Sequence, residues 1–94
     1  MTLEEFRDSI SKNQKPTGLS IVIEALWEDG AGNWDQAHEL AQASGTKMGD
    51  RIHAYLHRKE GDEFNARYWY NRCGVAFPEM TIEAEWTNFV LENL

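Results

Sequence analysis

The chain has 94 residues, of which 41% are hydrophobic, and nine Lys and Arg against 16 Asp and Glu give it a formal charge of −7. This length accommodates a single domain, and the hydrophobic content supports a packed interior, which excludes a disordered chain. The negative charge repels nucleic-acid phosphates and anionic lipid headgroups, so we expect neither nucleic acid nor membrane as a partner.

The cysteine content and the N-terminal segment favour a cytoplasmic protein. The single cysteine, Cys73, has no partner for an intrachain disulfide, and its position late in an apolar helix pattern predicts a small buried residue. The first 13 residues are acidic and amphipathic, without the basic start and continuous apolar run of a secretion signal. The apolar stretch 19–27 is interrupted by Ser20 and Glu24 and is too short to span a bilayer.

Helical periodicity runs through the whole chain and predicts an all-α protein. Apolar residues return every three or four positions, and no alternating run is long enough to indicate a strand. A first helix is predicted over 2–13, where Thr2 and Glu5 can form a capping box. Pro16 lies in the connection to a second helix, which is predicted over roughly 18–29.

The middle of the chain predicts two further helices. Asn33 with Gln36 resembles a capping pair, so a third helix is expected to begin there and to end at about Ser44. Gly45 then stops that helix, and the fourth helix is expected to start at Gly49.

A helix stop and a helix cap lie next to each other at Gly61 and Asp62. Gly61 can adopt the left-handed conformation that ends the fourth helix, and Asp62 can accept hydrogen bonds from the free N–H groups of the fifth. Ala66 is expected to be buried where these two helices cross. Phe64 and Tyr68 point the other way, as expected for a helix packed between two neighbours.

The last helix is predicted to begin after Thr81 and to run nearly to Leu94. The expected fold is therefore one all-α domain over 1–94, with about six helices. These form two consecutive antiparallel helical hairpins and two flanking terminal helices. Three of the four tryptophans are expected in the core and the fourth, Trp27, at the edge of a groove; the three core tryptophans are Trp34, Trp69 and Trp86.

The two predicted hairpins repeat with a period of 29 residues, with Gly32 and Asn33 aligned on Gly61 and Asp62. Over roughly 18–78 the chain resembles tetratricopeptide and Sel1-like repeats. In the second unit, seven residues stand where those repeats place small, turn, cap, aromatic and closing residues: Ala54, Gly61, Asp62, Ala66, Tyr70, Cys73 and Pro78. The block HAYLHRKEGD…NARYWY also resembles small bacterial proteins, a resemblance that implies no chemistry.

Polar and aromatic residues with ligand-binding chemistry concentrate on the predicted hairpins. His53 and His57 lie four positions apart and so share one helix face, and Glu60 follows on the same stripe. Trp69 is about as far from the Gly61 turn as His53, so these two residues are expected to be neighbours. We expect His53, His57 and Trp69 to border one partly open pocket.

Three further residues complete the predicted site. His38 or Gln42 approaches the two histidines if the third helix is antiparallel to its neighbour. Arg58 or Asn65 is expected within reach of the pocket; Arg58 can instead form an internal ion pair, and Asn65 can belong to a helix cap. The predicted ligand-binding residues are His38, His53, His57, Arg58, Asn65 and Trp69.

The preferred interpretation is a helical-hairpin module that binds a protein segment or a small molecule, as a monomer or a homodimer. This interpretation includes no cofactor, no bound metal and no catalytic residue, although it leaves open whether the protein is an enzyme. The alternative is a small metal-binding protein or enzyme that uses His38, His53 and His57. A third hypothesis is a structural subunit with Phe64, Tyr68 or Trp86 exposed in a homodimer face.

Overall fold

The computed structural model describes residues 1–94, and every regular element in it is an α-helix. The six helices are α1 (Leu3–Ser11), α2 (Ile21–Gly30), α3 (Trp34–Ala43), α4 (Lys47–Glu60), α5 (Glu63–Cys73) and α6 (Ile82–Asn93). The predicted all-α class with about six helices is therefore confirmed. None of the six combines the length and apolar character that a helix needs to cross a membrane.

Local capping signals define several helix ends as predicted. The side chains of Thr2 and Glu5 form a capping box at the start of α1, and Thr81 caps α6. Asp62 caps α5 with its carboxylate, directly after Gly61 ends α4 in the left-handed conformation at φ 89°. These caps satisfy backbone N–H groups that have no partner inside a helix.

Two predicted helix starts and one predicted capping hydrogen bond differ from the structure. α2 begins three residues later than expected, because the Ser20 side chain caps it. α4 begins two residues before Gly49, since the Thr46 hydroxyl accepts the Gly49 N–H at 3.0 Å. Asn33 precedes α3 but makes no capping hydrogen bond with its side chain; its amide donates to Glu28 Oε1 at 2.8 Å instead. In each case the residue spacing alone did not indicate which hydrogen bond the polar side chain would make.

The core lies between α1, α2, α4 and α6, with contributions from α3. α2 packs on α3, α3 on α4 and α4 on α5, while α6 covers both α2 and α4. The largest fully buried side chains of this core are Phe6, Leu26, Ile52, Tyr55, Leu56 and Val90. A smaller cluster of Ala54, Ala66 and Tyr70 joins α4 to α5, and Ala66 is completely buried there as predicted.

The outer face of α5 is in solvent. Phe64 is 83% exposed and Tyr68 is 52% exposed, so the expectation that α5 packs between two neighbours is wrong. α5 packs mainly on α4, and no further helix covers its opposite side. The aromatic residues at these two positions are therefore surface residues.

Trp27 is more deeply buried than predicted, and the other three tryptophans are less deeply buried. Trp27, expected at a groove, is 3% exposed and its indole N–H donates to Ser9 Oγ at 3.0 Å. The three expected in the core are half-buried: Trp34, Trp69 and Trp86. Trp34 and Trp86 each donate an indole N–H to a backbone carbonyl, an arrangement that keeps the polar edge of the ring near a helix surface.

Candidate functional site

Three histidines meet where α3 packs against α4. The ring centroids of His38 and His53 are 4.5 Å apart, those of His38 and His57 are 5.1 Å apart, and those of His53 and His57 are 4.8 Å apart. One nitrogen from each ring lies within 4.8 Å of the others. We call these three residues the histidine cluster.

Helix geometry explains how the cluster forms. His53 and His57 are one turn apart on α4 and therefore share a face. His38 joins them from α3, whereas Gln42, the other predicted candidate, is exposed to solvent. The packing of α3 on α4 thus decides between two residues that the sequence alone could not separate.

Two indole rings enclose the cluster. The Trp34 ring stacks on the His38 ring, with centroids 4.9 Å apart and planes 17° from parallel. The Trp69 ring on α5 lies 4.4 Å from the His53 ring, so the predicted proximity of His53 and Trp69 is confirmed. The predicted site does not include Trp34. Its position four residues before His38 could have indicated that the two side chains are neighbours on one helix face.

Hydrogen bonding defines the proton positions on His57. Its Nδ1 lies 2.7 Å from Glu60 Oε2, and its Nε2 lies 3.0 Å from His53 Nε2. An ionised carboxylate only accepts hydrogen bonds, so Nδ1 of His57 carries the proton and donates it to Glu60. The contact between Nε2 of His57 and Nε2 of His53 then holds one proton between the two rings.

His38 contributes a buried nitrogen without a hydrogen-bond partner. Its Nε2 atom is inaccessible to solvent and has no donor or acceptor within bonding distance in the protein. A buried polar atom left in this way costs free energy, about 1 to 3 kcal/mol. Such an atom marks a position where a bound group would find an unused ligand atom.

The surroundings keep two of the imidazoles neutral. The pKa of His53 is lowered from 6.5 to about 4, mainly because the ring is buried and in part because His38 and His57 are nearby. Burial also lowers the pKa of His38, with His57 as the next cause. At neutral pH both rings therefore carry a free lone pair and no net charge.

Two further predicted residues lie at the edge of the cluster or beyond it. Asn65 donates its amide N–H₂ to Asp62 Oδ2 at 2.7 Å, and its backbone N–H to Asp62 Oδ1 at 3.2 Å. Asp62 in turn has a carboxylate oxygen within 4.8 Å of ligand atoms of His57 and Glu60. Asn65 is therefore linked to the site only indirectly, through its hydrogen bonds to the cap residue Asp62.

Arg58 contacts α6 and the segment before it. Its Nη1 donates to Glu85 Oε1 at 2.8 Å, and its Nη2 donates to the carbonyl of Met80. Arg58 thus forms an internal ion pair with Glu85, which was the alternative expectation for this residue. None of the six predicted ligand-binding residues lines the cavity between α1, α2, α4 and α6 or the cavity beside Asn33 and Trp34.

The fold and the cluster together define a small all-α protein with an imidazole site between two helices. No family model matches the chain, and no solved structure matches it. Protein TMA108 of Saccharomyces cerevisiae is 39% identical over 51 residues, which make up 54% of this chain and 5% of that protein. The chain thus corresponds to a small part of the length of this relative.

Proposed function

We propose that this protein binds a divalent transition-metal ion, with Zn²⁺ as the best candidate, through His38, His53 and His57. The observation that carries the proposal is the buried Nε2 of His38, which has no partner and belongs to the same cluster as the paired Nε2 atoms of His53 and His57. Imidazole is a preferred ligand of Zn²⁺, Ni²⁺ and Cu²⁺.

The spacing of the nitrogens suits one ion. Zinc to nitrogen bonds of about 2.0 to 2.1 Å at tetrahedral angles place two ligand nitrogens about 3.3 Å apart. His53 Nε2 and His57 Nε2 are 3.0 Å apart, and the largest separation among the three ligand atoms is below 4.8 Å. We expect rotation of the His38 ring to bring the third nitrogen into this geometry.

Glu60 supports the same proposal from outside the cluster. A metal-binding histidine usually donates its second ring N–H to a carboxylate or carbonyl, which holds the ring in one orientation and strengthens the metal bond. His57 donates Nδ1–H to Glu60 in this manner. The neutral state of His53 and His38 helps as well, since only a deprotonated nitrogen can bind a metal.

Three protein ligands leave one position of a tetrahedral ion open. Structural zinc sites use four protein ligands, whereas sites that bind a small molecule or a reactive water use three. We therefore propose that the open position receives a water molecule or a small ligand. In this proposal the small molecule binds at the metal ion itself. Trp34 and Trp69 lie beside the imidazoles that hold the ion.

The test is direct metal titration of protein purified without a histidine tag and treated with a chelator. Calorimetry with Zn²⁺, and absorption spectroscopy with Co²⁺, should give one ion per chain and a tetrahedral cobalt spectrum. His38→Ala and His57→Ala should each weaken binding about 10-fold or more, whereas Gln36→Ala on an exposed part of α3 should not. Absence of stoichiometric binding, or wild-type affinity in His38→Ala, overturns the proposal.

We further propose that α2–α3 and α4–α5 are two tetratricopeptide-like or Sel1-like units. The left-handed Gly61, the Asp62 cap and the fully buried Ala66 support this relationship in the second unit. The test is the solved structure of a homologue with more units: α2–α5 should superpose on two consecutive repeats.

A further inference from the structure

A cleft lies on the other side of α4 from the histidine cluster. It encloses about 420 Å³ between α1, α2, α4 and α6, and α4 contributes Tyr55 and Lys59 to its wall. These two residues are each two positions after His53 and His57, which is about 200° around a helix. The cleft is therefore separate from the proposed metal site.

One wall of the cleft holds an ammonium group in a fixed position. Asp29 is 3% exposed, and both of its carboxylate oxygens are already bound. The Tyr55 hydroxyl donates to Oδ2 at 2.6 Å, and Lys59 Nζ donates to Oδ1 at 2.8 Å. Lys59 has three N–H donors and uses one here, so two remain for a ligand.

Arg7 and Glu83 add a second cation and a free acid to the lining of the cleft. Arg7 donates one Nη2 hydrogen to Thr87 Oγ1 at 2.9 Å, and its guanidinium carbon lies 5.8 Å from the ring centroid of Trp86. Its other N–H donors have no partner in the chain. Glu83 lines the same cleft and makes neither a hydrogen bond nor an ion pair within the protein.

An apolar surface completes the cleft. The side chains of Ile10, Ile82 and Trp86 line it next to these charged groups. A volume of about 420 Å³ falls within the range of roughly 300 to 1,000 Å³ that is typical of small-molecule sites. The cleft thus combines unused donors, one unused acceptor and an apolar surface in a space of small-molecule size.

We propose that this cleft binds a free α-amino acid with an apolar or aromatic side chain. The carboxylate of the ligand accepts hydrogen bonds from Lys59 and Arg7, its ammonium donates to Glu83, and its side chain lies on Trp86. Two cations and two acids line the cleft, so a zwitterion leaves the site electrically balanced. A ligand that lacks its ammonium leaves Glu83 without a partner, and one that lacks its carboxylate leaves the free donors of Arg7 and Lys59 unused.

The test is a nitrogen-15 NMR titration of chelator-treated protein with L-leucine. The indole N–H of Trp86, which donates to the Leu26 carbonyl, reports on the cleft, and that of Trp34 reports on the histidine cluster. We expect the Trp86 resonance to shift and the Trp34 resonance to stay. Because no metal is present, the outcome is independent of the metal proposal.

Matched ligands and variants make the result specific. 4-Methylpentanoate, which lacks the amine, and isopentylamine, which lacks the acid, should each bind about 10-fold more weakly than L-leucine. Arg7→Gln and Glu83→Gln change exposed residues and should weaken L-leucine binding about 5-fold or more, whereas Arg67→Gln on α5 should not. No shift with L-leucine, equal binding of the amine, or wild-type affinity in both cleft variants overturns the proposal.

Discussion

The Nε2 atoms of His53 and His57 lie 3.0 Å apart on adjacent turns of α4. His57 also shares its Nδ1 atom with Glu60, so the contact between the two Nε2 atoms is a hydrogen bond that holds one proton. Metal binding by both nitrogens requires that proton to leave the pair. The pair therefore exchanges one hydrogen bond for two metal bonds when an ion enters.

Acid should destabilise the metal-free protein through His53. Burial, with His38 and His57 nearby, lowers the pKa of His53 from 6.5 to about 4 in the folded state. The unfolded chain binds this proton at higher pH, so stability is complete above about pH 6.5 and falls as the pH drops towards about 4. The full shift corresponds to about 3 kcal/mol.

Urea unfolding in the presence of a chelator, at about pH 7.5 and about pH 5, measures this effect. Wild type should lose about 2 kcal/mol between these conditions through His53 alone, and His38 adds to the loss because its pKa is also lowered. His53→Gln should lose less. Equal losses in the two proteins would contradict the expected role of His53.

Glu60→Gln should weaken Zn²⁺ binding about 10-fold to 100-fold, because an amide orients and polarises the His57 ring less well than a carboxylate. Glu60 is exposed, so the free energy of unfolding of the metal-free protein should change little. Glu63→Gln on α5 is the matched control, since Glu63 pairs with Arg67 on the surface. Metal affinity is read by competition with a chromogenic chelator.

Ala66→Leu should destabilise the protein by about 1 to 3 kcal/mol, because Ala66 is fully buried against Ala54 and Tyr70. The larger side chain forces α4 and α5 apart at their crossing. Ala43→Leu provides the comparison at an exposed position of α3, where the change should stay within about 0.5 kcal/mol. Similar urea midpoints for the two variants would show that Ala66 does not lie in a tight contact between α4 and α5.

Glu85→Ala should cost about 2 to 4 kcal/mol. Glu85 is 6% exposed and accepts hydrogen bonds from Arg58 Nη1 at 2.8 Å and from the Tyr70 hydroxyl at 2.6 Å, so its removal leaves the hydroxyl and this nitrogen without a partner.

Glu92→Ala serves as the control for Glu85→Ala. It removes a surface ion pair with Arg51 in which Glu92 is 48% exposed, and it should cost less than about 1 kcal/mol. Chemical denaturation of the two variants gives the comparison, and equal losses would show that Glu85 behaves as a surface residue.

Local signals in the sequence predict much of the fold because capping involves residues within one turn. Asp62 and Thr81 cap the helices that spacing assigned to them. Ser20 and Thr46 show the limit of this approach, since several polar residues precede each helix and only backbone geometry decides which one becomes the cap.

The candidate site needed information that the sequence does not contain locally. The proximity of His53 and His57 follows from helix periodicity, but the choice of His38 over Gln42 depends on the rotation of α3 against α4. The cleft lined by Tyr55 and Lys59 is harder still to predict from the sequence. Its Arg7 and Thr87 are 80 positions apart, so no spacing rule connects them.

The position of His38 gives the proposed ion a further consequence for folding. His38 belongs to the α2–α3 pair, whereas His53 and His57 belong to the α4–α5 pair. An ion held by all three cross-links the two halves of the chain and stabilises the folded state by mass action, by about 4 kcal/mol at a free metal concentration 1,000 times Kd. The melting temperature of this protein then becomes a measure of the free metal around it.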